Sequence, residues 1–288
     1  MDNLTTISVS RNIMKVLVIM GSPRKGNTER IVKEIENEVK KLGDVAFSFV
    51  DLRDSHLELC RGCHVCFFKG ETSCPLKDDR AIIEEQLLQA DGVIFASPNY
   101  VSNVPALFKN FIDRFAYAGH RPRFFHQRAM AIVTSAGPGG LSEACKYISA
   151  SLGAFGFRFV HTAGFLQPPF PIPVSWRKEN QEKVRTAARI FYSACESPRL
   201  PAPTLREVMS FRIMQLMLRK VVGTPLEKYY PSDCQYWKDH GWLDPTFYYF
   251  TGEDVGIGKK ITIKVLEPVI GWQINKILKG SVSPAENQ

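Results

Sequence analysis

The sequence of 288 residues lacks an apolar run long enough to cross a bilayer, because the stretch from Val16 to Met20 is far shorter than a span requires. It also lacks a long run of Lys or Arg. The formal net charge is +8, but the basic residues are scattered along the chain. Nucleic-acid binding needs a basic patch, so we do not expect it. Internal repeats and low-complexity tracts are absent too.

A secretory pattern is also missing, since residues 1–14 lack a charged start followed by an apolar segment. The cysteines number seven, and an odd count in a chain of this length argues against a disulfide scaffold. We therefore expect a cytoplasmic protein, in a reducing compartment where thiols stay available for metal. Apolar residues make up 44% of the chain, which is enough to bury a sizeable core.

Short apolar runs alternate with helical patterns through most of the chain. The runs predict five strands at 15–20, 47–52, 92–96, 130–134 and 157–162. Parallel neighbours need crossover connections, which the intervening helices supply. The pattern therefore predicts an α/β fold with a twisted, doubly wound, five-stranded parallel sheet covered by helices on both faces.

The composition changes near Gln167, where prolines become frequent before one more predicted helix at 175–195. We expect residues 1–197 to form the α/β unit and residues 198–288 to form a helical extension. The extension shows two helical patterns, 206–222 and 261–278, around an aromatic middle.

Pro268 is expected to break the second helical pattern of the extension, which lysines flank. We expect this helix to pack on the core or on a second subunit. The alternative is peripheral contact with a membrane, in the plane of its surface, since Trp and Lys suit that environment.

Three predicted loops leave strand ends, which is where parallel sheets bind ligands. The first loop, 21–28, offers an anion the side chains of Ser22, Asn27 and Thr28, the charge of Arg24 and a helix N-terminus. The second, 97–105, is polar with one aromatic residue and suits a flat ring. The third, 134–140, is rich in glycine and permits close backbone approach. Taken singly, each is also consistent with an ordinary turn.

The runs GSPRKGNT, SPNYVSNVPALFKNFIDR and TSAGPGG resemble the NADPH-dependent FMN reductase and iron–sulfur flavoprotein branch of the flavodoxin-like superfamily. The resemblance covers roughly residues 15–195. It implies FMN, a flavodoxin-like sheet, and a homodimer or homotetramer with FMN near a subunit interface. The implied phosphate site is Ser22, Arg24, Asn27 and Thr28. The implied neighbours of the flavin ring are Pro98, Asn99, Tyr100, Val101, Thr134, Ser135, Ala136, Gly137 and Gly140.

A cysteine motif lies in the loop 60–79, with the spacing Cys60-x2-Cys63-x2-Cys66-x7-Cys74 followed by proline. Short spacing lets several thiolates converge on one cluster, as in bacterial ferredoxins. The motif is similar to that of iron–sulfur flavoproteins, which implies a [4Fe–4S] cluster. Structural zinc and a set of metal-free thiols remain the alternatives. The other three cysteines, at 145, 195 and 234, are isolated and are expected to serve packing.

The predicted function is FMN-dependent oxidoreduction or electron transfer, with a [4Fe–4S] cluster passing electrons to FMN and with NAD(P)H or ferredoxin as the donor. One alternative is a cluster-free, NAD(P)H-dependent reductase of free FMN, quinones, azo dyes or nitro compounds. Another is a flavodoxin-like carrier with no substrate of its own. Flavin chemistry belongs to the cofactor, so we predict no catalytic side chain.

Overall fold

The structure, a computed structural model, describes residues 13–251 and 255–280. A five-stranded sheet lies at its centre, and its strand order is β2-β1-β3-β4-β5 with every neighbouring pair parallel. The strands are β1 (Met14–Met20), β2 (Val45–Asp51), β3 (Gly92–Pro98), β4 (Arg128–Ser135) and β5 (Arg158–Leu166). This order is that of flavodoxin-like folds, so the predicted fold class is confirmed.

Helices cover both faces of the sheet and continue beyond it. They are α1 (Asn27–Lys40), α2 (Val65–Phe68), α3 (Arg80–Gln89), α4 (Ala106–Arg114), α5 (Leu141–Gly153), α6 (Val174–Glu196), α7 (Leu205–Val221), α8 (Pro231–Asp239) and α9 (Ile257–Gly280). Among the helices that the structure describes, none is both long and apolar enough to cross a membrane.

The sheet is buried on both faces because alternate side chains of each central strand point to opposite sides. In β1, Leu17 and Ile19 join the core beneath α3, α4 and α5, whereas Val16 and Val18 join the core beneath α1 and α6. Burial on both faces explains why β1 is a continuous apolar run in the sequence.

The aromatic middle of the extension forms a third core, around Phe125 of the sheet unit. Phe211 stacks on Trp237, with ring centroids 5.2 Å apart, and Trp242 packs edge-on against Phe125. Helix α8 lies within this region and was not anticipated, although Pro231 occupies its first turn, where proline is favoured.

The predicted break at Pro268 is wrong, because α9 runs through it as one helix. Proline removes a single backbone donor, and its ring here lies on the exposed side of the helix. Burial of Ile263 and Ile274, on either side of the proline, holds the two halves in line against the rest of the extension.

Packing requires a glycine at position 21, the first residue after β1. A Cβ atom built on Gly21 would lie 2.1 Å from Cδ2 of Phe108 in α4, well inside van der Waals contact. Helix α4 therefore packs so closely on the end of β1 that position 21 has room only for the hydrogen atom of a glycine.

We expect Gly21→Ala to lower the free energy of unfolding by about 1–3 kcal/mol, because the added methyl group overpacks the site against Phe108. Urea unfolding measures the effect. Gly153→Ala at the end of α5 is the matched control, since nothing lies within 4 Å of its added Cβ, and it should leave stability equal or slightly higher. Equal stability of the wild type and Gly21→Ala would contradict the packing argument.

Candidate functional site

Three loops meet at the carboxyl edge of the sheet and enclose a cavity of about 340 Å³. The cavity lies beside the junction of β1 and β3, where strand order reverses, which is the usual ligand position in open parallel sheets. Its lining comprises Ser22, Arg24, Lys25, Gly26, Asn27, Thr28, Pro98, Asn99, Tyr100, Thr134, Ser135, Ala136 and Gln167. We call this cavity the edge pocket.

One end of the edge pocket combines groups that can bind an anion. Helix α1 begins here after Gly26, and no side chain caps its N-terminus. The first backbone N–H groups of a helix need acceptors, and the helix dipole favours negative charge there. Arg24 and Lys25 add positive charge at the exposed rim. An anionic group, such as a phosphate, would satisfy these donors and charges together.

Hydrogen bonds hold the walls of this end in place. The hydroxyl of Ser22 donates to the carbonyl oxygen of Arg24 over 2.7 Å. The hydroxyls of Thr28 and Thr134 lie 2.7 Å apart and join the first loop to the third. The walls are thus fixed before any ligand arrives, which reduces the entropy lost on binding.

Asn99 joins the second loop to the third. Its Nδ2 donates to Ser135 Oγ at 3.2 Å and to the Gly139 carbonyl oxygen at 2.8 Å. Its Oδ1 is buried and has no hydrogen-bond partner. A buried acceptor without a partner carries a desolvation cost that a ligand N–H would remove. This orphan acceptor, in a wall of the edge pocket, fits a heterocycle with an N–H donor.

The turn after Asn99 explains why Val101, a predicted site residue, is not in the pocket lining. Tyr100 and Asn103 exchange backbone hydrogen bonds across a tight turn in which Val101 and Ser102 have positive φ of 50° and 60°. This turn directs Val101 outward, so that its side chain is 99% exposed. A β-branched residue rarely adopts this conformation, and such strain concentrates at functional sites.

Gly140 supports that turn from the third loop without lining the pocket. It has φ of +83°, and an added Cβ would lie 2.6 Å from Cα of Ser102. Gly137 is likewise outside the lining, although its N–H lies 3.4 Å from Ser135 Oγ. The predicted site residues Val101, Gly137 and Gly140 therefore surround the pocket rather than face it.

Sequence reasoning did not identify Gln167 as part of the site. Gln167 follows β5, its carbonyl oxygen accepts from Asn27 Nδ2 at 3.1 Å, and its side chain accepts from Arg30. Its N–H donates to the Ser135 carbonyl oxygen, which extends the sheet by one residue. The available signal was the change of composition at Gln167, a few residues after the predicted fifth strand. Lys25 and Gly26 also line the pocket, between residues that were predicted.

A second cavity, of about 300 Å³, contains all four cysteines of the motif in its lining: Cys60, Cys63, Cys66 and Cys74. Cys60 and Cys63 are exposed, whereas Cys66 and Cys74 are half-buried. This cavity shares no lining residue with the edge pocket. We call it the cysteine cavity.

Helix α4 holds both ends of the cysteine loop. Asn110 accepts from the Cys60 N–H at 3.0 Å and donates to the carbonyl oxygens of residues 57 and 58. One turn later, Arg114 donates from Nη1 to the sulfur of Cys74 at 3.2 Å and from Nη2 to both carboxylate oxygens of Asp78, at 2.6 and 2.7 Å. The loop is therefore anchored at its first and last cysteines.

Arg121 joins the middle of the loop to the extension. Its guanidinium donates to the Cys66 carbonyl oxygen at 2.7 Å, to Glu71 at 3.0 Å, and to Asp233 of α8. Asp233 is fully buried and also lies 2.7 Å from Nδ1 of His120. The buried carboxylate of α8 compensates the charge of Arg121 and so stabilises the conformation of the loop.

The seven cysteines fall into two groups by environment. Burial raises the pKa of Cys145 to about 11, of Cys195 to about 12 and of Cys234 to about 11, so these thiols are unreactive at neutral pH. Burial also raises the pKa of Cys66, while the charge of Arg121 opposes that rise. Across the described residues, no group of three or more His, Cys, Asp or Glu side chains is arranged as a site for one metal ion.

The fold is flavodoxin-like, and the edge pocket lies at the carboxyl edge of its sheet. Residues 14–167 match the family model of the NADPH-dependent FMN reductases. The chain belongs to this family, and it is an FMN-dependent oxidoreductase. The family that the sequence motifs suggested is thus confirmed.

The names of two similar proteins include an iron–sulfur group in addition to the flavin. An iron–sulfur flavoprotein of Archaeoglobus fulgidus is 32% identical over 238 residues, which cover 80% of this chain and 100% of that protein. One from Clostridioides difficile is 28% identical over 236 residues, which cover 79% of this chain and 99% of that protein.

Among solved structures, RosB with bound 8-demethyl-8-formylriboflavin-5'-phosphate matches with a TM-score of 0.51 and 13% identity. The match covers 65% of this chain and 82% of that one. At this level of identity it shows a common fold alone.

The Asp78–Arg114 pair yields a prediction about stability. The two side chains are 1% and 3% exposed, so Asp78→Asn leaves a buried guanidinium uncompensated. We expect it to lower the free energy of unfolding at pH 7 by about 3–5 kcal/mol, measured by urea unfolding. The control is Asp54→Asn, whose carboxylate is exposed beside Arg53, so this substitution should leave stability almost unchanged.

The same pair predicts a pH dependence. Burial opposes ionisation of Asp78, but hydrogen bonds from Arg114 and from two backbone N–H groups hold its pKa below the ordinary value of 3.8. A carboxyl with a depressed pKa stabilises the fold above its unfolded pKa and loses that contribution as the pH falls through its folded pKa. The difference between wild type and Asp78→Asn should be full at pH 7 and shrink below about pH 4. A constant difference would contradict the assignment.

Proposed function

We propose that the edge pocket binds FMN with its phosphate at the N-terminus of α1, against Ser22, Arg24, Asn27 and Thr28. Support comes from the uncapped helix N-terminus, the positive rim and the hydroxyls already held in place. Lys25 and Gln167 complete this end of the pocket. The anion-binding end carries the proposal, because an uncharged ligand would leave its donors and charges unsatisfied.

The flavin ring is proposed to lie at the other end, along Pro98, Asn99, Tyr100 and the wall formed by residues 134–136. Asn99 Oδ1 gives this wall an acceptor without a partner. The backbone at Val101, Gly137 and Gly140 is proposed to shape the loops around the ring. The turn at Val101 and the positive φ of Gly140 set the conformation of the second and third loops.

Bound FMN supplies the coupling of two-electron donors to one-electron acceptors. The residues of the chain bind the phosphate, orient the ring and limit its solvation. Among the described residues that line the edge pocket there is no histidine, cysteine, aspartate or glutamate. We therefore assign binding and orientation, and no proton transfer, to these side chains.

Arg24→Gln should weaken FMN binding about ten-fold, because it removes one charge-assisted contact to the phosphate. Riboflavin lacks the phosphate, so its affinity should not change. Quenching of flavin fluorescence on titration with the apoprotein measures both. Arg185→Gln on α6, where the arginine pairs with Glu182 at the surface, is the control and should leave both affinities unchanged. Equal losses for FMN and riboflavin would contradict the phosphate assignment.

We further propose that Cys60, Cys63, Cys66 and Cys74 hold a [4Fe–4S] cluster, which would supply one-electron transfer. The donor set fits on three counts. All four thiols line one cavity, the loop is anchored by α4 and Arg121, and guanidinium groups of Arg114 and Arg121 offset thiolate charge. The names of the relatives point in the same direction.

Anaerobic purification followed by visible absorption, iron and acid-labile sulfide analysis tests both proposals. Flavin bands with iron and sulfide in stoichiometric amounts support the iron–sulfur flavoprotein. Flavin bands without iron indicate a cluster-free NAD(P)H-dependent reductase, and zinc in place of iron indicates a structural site. A colourless protein that does not take up FMN contradicts the proposed flavin site.

Cys66→Ser should abolish iron and sulfide incorporation while FMN binding is retained, because the two cavities are separate. Cys195→Ser is the control, because this half-buried thiol lies on α6, packed against the core beneath that helix, and its loss should leave the iron content unchanged. Retention of stoichiometric iron in Cys66→Ser would contradict the ligand assignment.

NAD(P)H is proposed as the electron donor, in line with the family. Bleaching of the flavin by NAD(P)H supports it, whereas bleaching by reduced ferredoxin alone supports a redox-protein donor. Turnover with a small-molecule acceptor distinguishes a reductase from a carrier. The homodimer or homotetramer, with FMN near the interface, stays a prediction, as does the boundary at residue 197.

A further inference from the structure

Helix α9 presents a second apolar face that nothing else in the described chain covers. One side of α9 packs on α7, with Ile263 and Ile274 buried. On the opposite side, five apolar side chains recur every three or four residues and are between 56% and 75% exposed. They are Ile257, Ile261, Val265, Val269 and Trp272, and we call them the α9 stripe.

Positive charge borders the α9 stripe. Lys264 and Lys276 are exposed, and Nζ of Lys276 lies 5.7 Å from the centroid of the Trp272 ring. Glu267 is the one acidic residue in the part of α9 that the structure describes, and it turns inward to accept from Nε of Arg212 at 2.8 Å. The exposed side of the helix thus combines apolar and cationic groups without a compensating carboxylate.

We propose that the α9 stripe docks in the headgroup region of an anionic membrane, with α9 parallel to the surface. In this position the apolar side chains enter the boundary of the acyl chains, and Trp272 lies at the interface. Lys264 and Lys276 extend to the anionic headgroups. The helix of 24 residues is about 36 Å long, so the stripe offers an extended line of contact.

Charge favours lipid over a second copy of the chain as the occupant. A two-fold contact brings the same patch of two subunits together. The side chains of Lys264 and Lys276 from both copies would then lie near one contact. No exposed carboxylate of α9 would be there to neutralise them. Anionic headgroups neutralise these lysines instead, and the net charge of +8 adds a general attraction.

Flotation of the full-length, FMN-loaded protein with lipid vesicles tests the proposal. Co-flotation is expected with mixed phosphatidylcholine and phosphatidylglycerol vesicles at low salt, less at high salt, and least with phosphatidylcholine alone. Protein that stays at the bottom of the gradient with the anionic vesicles at low salt would overturn it.

Ile261→Ser and Ile82→Ser form a matched pair, because both isoleucines lie on helices and both are 58% exposed. Ile261→Ser should reduce vesicle affinity about ten-fold, since one apolar anchor is lost. Ile82→Ser on α3 should leave it unchanged. Equal effects of the two substitutions would overturn the assignment of the surface to α9.

The charge requirement has its own pair of variants. The double substitution Lys264→Gln and Lys276→Gln should weaken anionic vesicle binding by about ten-fold or more. Lys146→Gln with Lys178→Gln, on α5 and α6, removes the same charge elsewhere and should have little effect. Equal losses would show attraction by net charge alone and overturn the proposal.

Light scattering in the absence of lipid tests whether the α9 stripe instead binds a second copy of the chain. The molar mass of Ile261→Ser should equal that of the wild type, whatever the oligomeric state. A lower mass for Ile261→Ser would identify the stripe as a subunit contact and overturn the proposal. An unchanged flavin spectrum shows that the variants are folded.

Discussion

All five strands of the sheet run in the same direction, and this constraint determines where ligands can bind. Parallel strands bring their carboxyl ends to one edge, so the loops after β1, β3 and β4 have to meet there. The ladder continues one residue past two of these strands: the N–H of Gly21 donates to the Ala96 carbonyl oxygen, and that of Asn99 to the Thr134 carbonyl oxygen. Main-chain bonds therefore hold the first residue of these two loops, and the side chains remain available for a ligand.

Helix α4 then couples the edge pocket to the cysteine cavity. Phe108, at its N-terminal half, packs against Gly21 below the edge pocket, while Asn110 and Arg114 hold the two ends of the cysteine loop. Displacement of this helix would change both cavities together. The spacing of Asn110 and Arg114, four residues apart, puts both on one face of α4, toward the loop.

The strands and the three loops could be predicted because their signals are local: buried strands are continuous apolar runs, and loops follow them directly. Other features depend on contacts that leave no local pattern. Arg121 and Asp233 are 112 residues apart in the sequence, and the residues around either one do not indicate its partner. Val101 could not be expected at positive φ, since β-branched residues disfavour it. Helix α8 could not be predicted because its aromatic residues pack in a core that they share with Phe125.

The Arg121–Asp233 contact also bears on how the chain unfolds. Arg121 belongs to the sheet unit and Asp233 to the extension, and each is almost completely enclosed. Tyr236 and Trp237 reinforce the connection through hydrogen bonds to the carbonyl oxygens of residues 122 and 120. Detaching the extension would leave a guanidinium without its counter-charge in a site that water does not reach. We therefore expect the two parts to melt in a single cooperative transition, with residues 205–280 acting as an integral part of the fold.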